Sequence, residues 1–279
     1  MTIDGTRRGF LAGGIGIAGS AGLAAAPPAA EGVYRFKLGV ASYSLRELQR
    51  GFAIRCIKQL NTPYISVKEF HLPLYASRED LEKGRQEFEK AGLQIMSGGN
   101  IAFPSDDPED IRRRFEYAKT CGMPMMVCAP THKNLATIEK FVKEYNIRIA
   151  IHNHGPEDRN FPTPASVLKA VNSMDPRCGL CMDVGHSARA GADLVQSIAE
   201  AGSRLFDMHI KDLRSASDKA SQCDVGEGVL PIVGIFKQLQ AIGYSGCVNL
   251  EYEINADNPL PGMQRSFSYM RGVLAGLRG

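Results

Sequence analysis

Histidines and carboxylates gather just after short apolar runs in this chain of 279 residues. Five of its six histidines occur in this way, and Asp or Glu residues accompany them. The segments concerned are residues 68–71, 152–154, 183–186, 209–212 and 251–253. Imidazole and carboxylate groups bind divalent metals and transfer protons near neutral pH. Because incidental histidines would be scattered over helices and loops, this concentration predicts a functional site.

Four of these side chains follow four successive apolar runs and form the predicted metal-ligand set. They are His152, Asp183, His209 and Glu251. Two imidazoles with two carboxylates suit Mn²⁺, Co²⁺, Mg²⁺ or Zn²⁺ better than metals that prefer thiolates. His154 lies two residues beyond His152, so on a strand it faces the same way. It is therefore a candidate for binding substrate or a second metal.

The elements that must position these residues are eight short apolar runs that recur about every 30 residues, the length of a βα unit. They span residues 36–42, 64–67, 93–97, 125–128, 148–152, 179–183, 205–209 and 246–251. Amphipathic segments between them, such as 80–92 and 108–121, read as helices. The pattern predicts an α/β protein with one (β/α)8 TIM barrel over residues 31–279. A doubly wound sheet is less favoured, since the turn after the first strand lacks a glycine-rich phosphate loop.

Three strand-end motifs resemble those of the sugar phosphate isomerase/epimerase family, whose members are xylose isomerase-like TIM barrels. The motifs are MDVGH at 182–186, MHIKD at 208–212 and NLEYE at 249–253. The resemblance covers essentially the whole chain from residue 37 to about residue 272. It implies one divalent ion, usually Mn²⁺, held by two Glu, one Asp and one His. Asp183, His209 and Glu251 match three of those positions, but His152 stands where the family pattern has Glu.

The resemblance implies a metal-dependent sugar isomerase or epimerase that removes a proton next to a carbonyl. Family epimerases use their two metal-bound glutamates as a pair, one removing the proton and the other returning it to the opposite face. Here only Glu251 of that pair remains, so it is the predicted base. Lys68, His154 and His186 are the predicted proton donors, and Lys211, Arg159 and Glu253 are predicted to bind substrate.

A lyase or hydratase that acts on 3-keto-glycosides, or on their enone products, is the alternative. It would remove the same acidified proton, after which a substituent leaves or water adds. One base and one nearby acid are enough for this reaction, so the loss of the second glutamate matters less. Lys68 and His71, which follow the second apolar run, are plausible contributors.

Two other classes fit the sequence less well. A DNA-repair endonuclease on the same barrel would need more metal ligands and a basic groove. The 33 Lys and Arg residues are instead offset by 30 Asp and Glu residues, for a net charge of +3. A sugar-binding barrel with a decayed metal site is disfavoured by the complete candidate ligand set. We expect a small-molecule sugar as the partner and no nucleic acid, and leave a homo-oligomer open.

The first 30 residues read as a twin-arginine export signal. Arg7 and Arg8 precede a run of Gly, Ala, Ile and Leu over residues 10–26, which ends in small residues. Together with the motif IHNHGPED at 151–158, this leader resembles an exported subgroup of the family. Removal of residues 1–30 would leave a net charge of +2. The prediction is a periplasmic or secreted protein with no membrane contact after the signal is removed.

Overall fold

Eight parallel strands close into a barrel in the computed structural model of the protein, which describes residues 34–278. The strands are β1 (Lys37–Ala41), β2 (Tyr64–Val67), β3 (Gln94–Ala102), β4 (Met125–Ala129), β5 (Arg148–His152), β6 (Cys178–Asp183), β7 (Leu205–Ile210) and β10 (Cys247–Leu250). Around the barrel they run β1-β10-β7-β6-β5-β4-β3-β2. This closed order confirms the predicted TIM barrel. The predicted export signal at 1–30 lies outside the described residues.

Helices connect the strands on the outside of the barrel. They are α1 (Arg50–Gln59), α2 (Arg78–Lys90), α3 (Pro108–Thr120), α4 (Leu135–Tyr145), α5 (Pro164–Val171), α6 (Val184–Arg189), α7 (Leu194–Ala201), α8 (Ile232–Ala241) and α9 (Leu260–Gly276). Short 3-10 helices occupy Ser42–Leu45 and Gly202–Arg204. Among the described residues, no helix has the length and apolar character needed to cross a membrane.

Local sequence sets the ends of helices α2 and α3, which the sequence predicts at residues 80–92 and 108–121. The side chain of Ser77 accepts the backbone N–H of Asp80 at the start of α2, and Asp107 caps α3 in the same manner. Beyond their last turns, Gly92 and Gly122 have φ values of +79° and +67°, which favour glycine. These signals explain why the predicted boundaries agree with the structure to within about two residues.

Apolar packing is divided between two layers. The main core fills the space between the strands and the helices. A smaller buried cluster is separate from it and comprises Met125, Val127, Ala150, Cys181 and Phe206 on strands β4 to β7. Since side chains alternate along a strand, Cys181 and Asp183 face the same way, as do Asp207, His209 and Lys211. On β6 this face therefore passes from Cys181 in the apolar cluster to Asp183 at the strand end, and on β7 it carries Asp207 and His209.

A short antiparallel pair, β8 (Asp212–Leu213) and β9 (Gln222–Cys223), follows β7. The buried carboxylate of Asp212 organises the chain after this pair. Its Oδ2 accepts the backbone N–H groups of Gly226 and Gly228 at 2.9 and 3.1 Å, and its Oδ1 accepts that of Leu230 at 3.1 Å. A side chain at Gly228 would meet Asp212 Oδ1, so this turn requires glycine. The carboxylate thus holds one wall of the barrel mouth in place.

Candidate metal centre

The four predicted ligands lie at the ends of four neighbouring strands. His152 is the last residue of β5, Asp183 is the last residue of β6, and His209 lies within β7 directly opposite Asp183. Glu251 follows β10, the next strand in the barrel. The carboxyl ends of parallel strands meet at one rim, which is where TIM-barrel active sites are built. The predicted set therefore converges.

Distances among the ligand atoms are short. His152 Nε2 lies 3.0 Å from His209 Nδ1 and 3.6 Å from Asp183 Oδ2. His209 Nδ1 lies 3.2 Å from Glu251 Oε2. One ligand atom from each of the four residues lies within 4.8 Å of every other, and all four side chains are buried. This spacing lets one ion contact all four groups.

The donor atoms fit a divalent ion. Asp183 Oδ2 is buried and accepts no hydrogen bond, although the Lys211 ammonium lies 3.1 Å away. Burial lowers the pKa of His152 to about 3, so its imidazole is neutral and can act as a ligand. Burial alone would raise the pKa of Asp183, but Lys211 and the nearby histidines hold it well below its usual value. Two imidazoles and two carboxylates are a suitable set for Mn²⁺, Co²⁺ or Zn²⁺.

Two lysines neutralise the carboxylates of the site. Lys211 Nζ lies 3.0 Å from Glu251 Oε2 and also pairs with Glu253 Oε1. Lys68 Nζ lies 3.3 Å from Glu251 Oε1. Burial would lower the pKa of Lys211, but the three surrounding carboxylates raise it well above its usual value. The contacts of Lys211 hold these carboxylates in position, and its binding of substrate stays a prediction.

A cavity of about 280 Å³ opens onto this cluster and contains the predicted acid–base residues. Lys68, His154, His186, Glu251 and Glu253 line it together with His152. The rings of His154 and His186 are 4.6 Å apart and nearly perpendicular. Arg189 Nη2 lies 2.7 Å from His186 Nδ1. Because a guanidinium only donates, Nδ1 accepts this bond and a neutral His186 carries its proton on Nε2.

Two predicted site residues lie elsewhere. His71 is buried, with Nδ1 3.0 Å from Ser42 Oγ and Nε2 3.2 Å from the Leu48 carbonyl oxygen, and it does not line the cavity. Both ring nitrogens are engaged, as in a packing residue, and the catalytic role of His71 stays a prediction. Arg159 is exposed and does not line the cavity. The Asp158 side chain closes a turn at this point, and the substrate contact of Arg159 stays a prediction.

Four residues that line the cavity are not among the predicted site residues: Tyr43, Glu69, Phe70 and Asn100. Tyr43 and Phe70 meet edge to face with centroids 5.7 Å apart, and Phe70 is 52% exposed. Phe70 lies inside the segment 68–71, so an aromatic residue among charged ones was an available signal. Asn100 lies on β3, which continues to Ala102, beyond the predicted strand end at residue 97. The Gly98-Gly99 pair interrupted the apolar run and concealed the strand's length.

The fold and the site place the chain in a known family. Residues 54–273 match the xylose isomerase-like TIM barrel family, and the chain belongs to it. Inosose dehydratase of Mesomycoplasma hyopneumoniae strain 7448 is 24% identical over 226 residues, covering 70% of this chain and 72% of that protein. The solved IolI protein with a bound zinc atom has a TM-score of 0.71 at 18% identity, covering 86% of this chain and 99% of that one. A solved L-ribulose 3-epimerase has a TM-score of 0.71 at 15% identity, covering 87% and 96% of the two chains.

Proposed function

We propose that this protein is a divalent-metal-dependent lyase that removes the proton next to a ketone and expels an oxygen substituent from the neighbouring carbon. The observation that carries this proposal is that one carboxylate among the four ligands faces the substrate cavity and can act as the base. An imidazole nitrogen that binds an ion has no lone pair left for a proton, which removes His152 and His209. Asp183 Oδ1 accepts the His186 backbone N–H at 2.8 Å. Of the two carboxylate ligands, Glu251 lines the cavity and Asp183 does not.

The ligand set would hold an ion that polarises the substrate carbonyl as a Lewis acid. Glu251 accepts the proton from the carbon next to the carbonyl. The electron pair of the broken C–H bond delocalises onto the carbonyl oxygen, which gives an enolate. The carbonyl then re-forms, a double bond forms between the deprotonated carbon and its neighbour, and the bond from that neighbour to the oxygen substituent breaks. His154 gives that oxygen a proton, and His186 donates a hydrogen bond through Nε2. Lys68 stabilises the ionised form of Glu251 before the proton moves.

The curated relative supports elimination over epimerisation. Inosose dehydratase is the name of a protein that removes water from a ketone-bearing ring. The same elimination from a 3-keto-glycoside would remove the proton at C2 and release the glycosidic oxygen at C1. We therefore include keto-cyclitols and 3-keto-glycosides in the proposed substrate class. Addition of water to the enone product is the reverse of elimination and could occur at the same site.

A sugar isomerase or epimerase is the second candidate, and one observation favours it. His154 and His186 line the same cavity as Glu251, so an imidazole is available to return a proton to the opposite face. The fold likeness to L-ribulose 3-epimerase is compatible with that reaction. The two candidate reactions share the first proton transfer. In the lyase an oxygen substituent then leaves, whereas in the isomerase or epimerase a proton returns to the substrate.

The products made in D2O distinguish the two reactions. We expect the metal-loaded protein to release methanol from methyl 3-keto-β-D-glucopyranoside, or water from an inosose, with formation of an enone that absorbs ultraviolet light. Unoxidised methyl glucoside is the matched control and should not react. An epimeric ketose that carries deuterium, formed without any elimination, would assign the second function instead.

We also propose that the protein is exported by the twin-arginine route, which rests on Arg7, Arg8 and the small-residue run that follows. In a Gram-negative host the full chain should yield a shortened protein in the periplasm. Replacement of both arginines by lysine should leave the precursor in the cytoplasm, since paired arginines define this signal. Equal periplasmic amounts of the two forms, measured by fractionation and mass spectrometry, would contradict the proposal.

A further inference from the structure

A second cavity, of about 500 Å³, adjoins the first. His186 and Glu253 line both cavities, so these two side chains mark the boundary. The first cavity, at about 280 Å³, is at the small end of ligand pockets and suits a single sugar ring. The second is nearly twice as large and remains unused when one ring lies beside the metal ligands.

The lining of the second cavity suits a hydroxyl-rich ring. Arg189, Lys219, Asp218 and Gln222 supply donors and acceptors, while Leu213 and Ile254 supply apolar surface. A sugar ring presents hydroxyl groups at its rim and C–H groups on its faces, which matches this mixture. Lys211 also lines this cavity and lies 3.0 Å from Glu251, so the cavity reaches the edge of the metal site.

The cavity wall is fixed to the catalytic strand end. Gln222 Nε2 donates to the Glu251 carbonyl oxygen at 2.7 Å, and the Glu253 backbone N–H donates to Gln222 Oε1 at 2.9 Å. Asp212 holds the chain that follows through the hydrogen bonds to Gly226 and Gly228. A preformed site of this kind binds without the cost of ordering a loop.

We propose that the physiological substrate is a two-ring glycoside, with the oxidised ring beside the metal ligands and the departing sugar in the second cavity. This inference rests on the proposed lyase function and specifies its leaving group. Glu251 takes the C2 proton, C1=C2 forms, and the C1–O bond breaks. The departing oxygen then lies at the His186 boundary and takes its proton from His154. The products are an enone and a free sugar.

Comparison of one-ring and two-ring substrates tests the inference. We expect kcat/KM for 3-keto-cellobiose, oxidised in its non-reducing ring, to exceed that for methyl 3-keto-β-D-glucopyranoside by about tenfold or more, which corresponds to about 1.4 kcal/mol. Ala220→Trp places bulk on the wall of the second cavity and should remove this preference while leaving turnover of the one-ring substrate unchanged. Ser217→Trp, in the same exposed segment but outside the cavity lining, should keep the preference.

The outcomes separate this inference from the proposed function. Turnover of both substrates at equal kcat/KM, or an undiminished preference in Ala220→Trp, would overturn the two-ring inference and leave the lyase intact. If neither substrate reacts, the lyase proposal fails. The second sugar site is then tested by calorimetry, which compares the affinity of the protein for cellobiose with its affinity for methyl β-D-glucoside. Tighter binding of cellobiose that Ala220→Trp abolishes would sustain the second sugar site, and equal binding would refute it.

Discussion

Replacement of Glu251 by Gln is expected to lower kcat/KM by about 10²–10⁴-fold, the contribution of a positioned general base. An amide keeps the shape of the side chain but cannot accept the substrate proton. In the structure, His209, Lys211 and Lys68 surround the Glu251 carboxylate, and their charges outweigh burial and lower its pKa. The variant should be assayed at saturating metal with a 3-keto-glucoside, alongside its thermal unfolding and metal content.

Glu227→Gln is the matched control for this experiment. Glu227 is exposed, pairs with Arg214 at 3.2 Å and lines neither cavity, so we expect its kcat/KM to equal that of the unmodified protein. Because Glu251 is also a proposed ligand, the comparison is made on protein shown to carry the ion. A metal-loaded, folded Glu251→Gln variant that keeps more than about a tenth of the activity would remove Glu251 as the base.

Removal of the divalent ion with a chelator is expected to abolish turnover and to lower the thermal unfolding temperature. Lewis-acid polarisation of a carbonyl contributes several kcal/mol, or about 10³-fold or more in rate. An ion present at 1,000 times its Kd stabilises the folded state by about 4 kcal/mol. Stepwise addition of Mn²⁺, Co²⁺, Zn²⁺ or Mg²⁺, followed by assay and calorimetry, measures both effects and identifies the preferred metal.

His209→Ala and His132→Ala form the paired controls for metal removal. His209 is buried within the ligand cluster, whereas His132 lies outside it and packs on Phe161. We expect His209→Ala to behave like the chelated protein and His132→Ala to respond to metal like the unmodified protein. Full activity after chelation, with no metal detected by elemental analysis, would refute a metal-dependent reaction.

The barrel and its ligand set could be predicted because both depend on short local patterns. β2 and β5 have the predicted bounds, since each is a brief apolar run with a clear break at either side. The polar residue that ends such a run must lie at the barrel rim, so the sequence alone identifies His152 and Asp183 as rim residues. The strand order then brings them together, as parallel neighbours in a closed sheet require.

The rest of the site depends on loops, whose conformations cannot be predicted from short sequence patterns. His71 lies only three residues beyond Lys68, yet the turn after β2 directs it toward Ser42 and away from the cavity. Arg159 is exposed beside a turn in which Asp158 Oδ1 accepts the Asn160 backbone N–H. The second cavity is formed by the chain near β8 and β9, where long-range contacts such as that of Gln222 with Glu251 fix the wall. Contacts of this kind appear only in three dimensions.

An anomalous difference map from crystals of the protein grown with Mn²⁺ tests the central claim most directly. Data collected on either side of the manganese absorption edge locate the ion without reference to activity. The account predicts one strong peak per chain within bonding distance of His152 Nε2, Asp183 Oδ2, His209 Nδ1 and Glu251 Oε2. A fully Mn²⁺-loaded crystal whose peak lies away from these four atoms would contradict it.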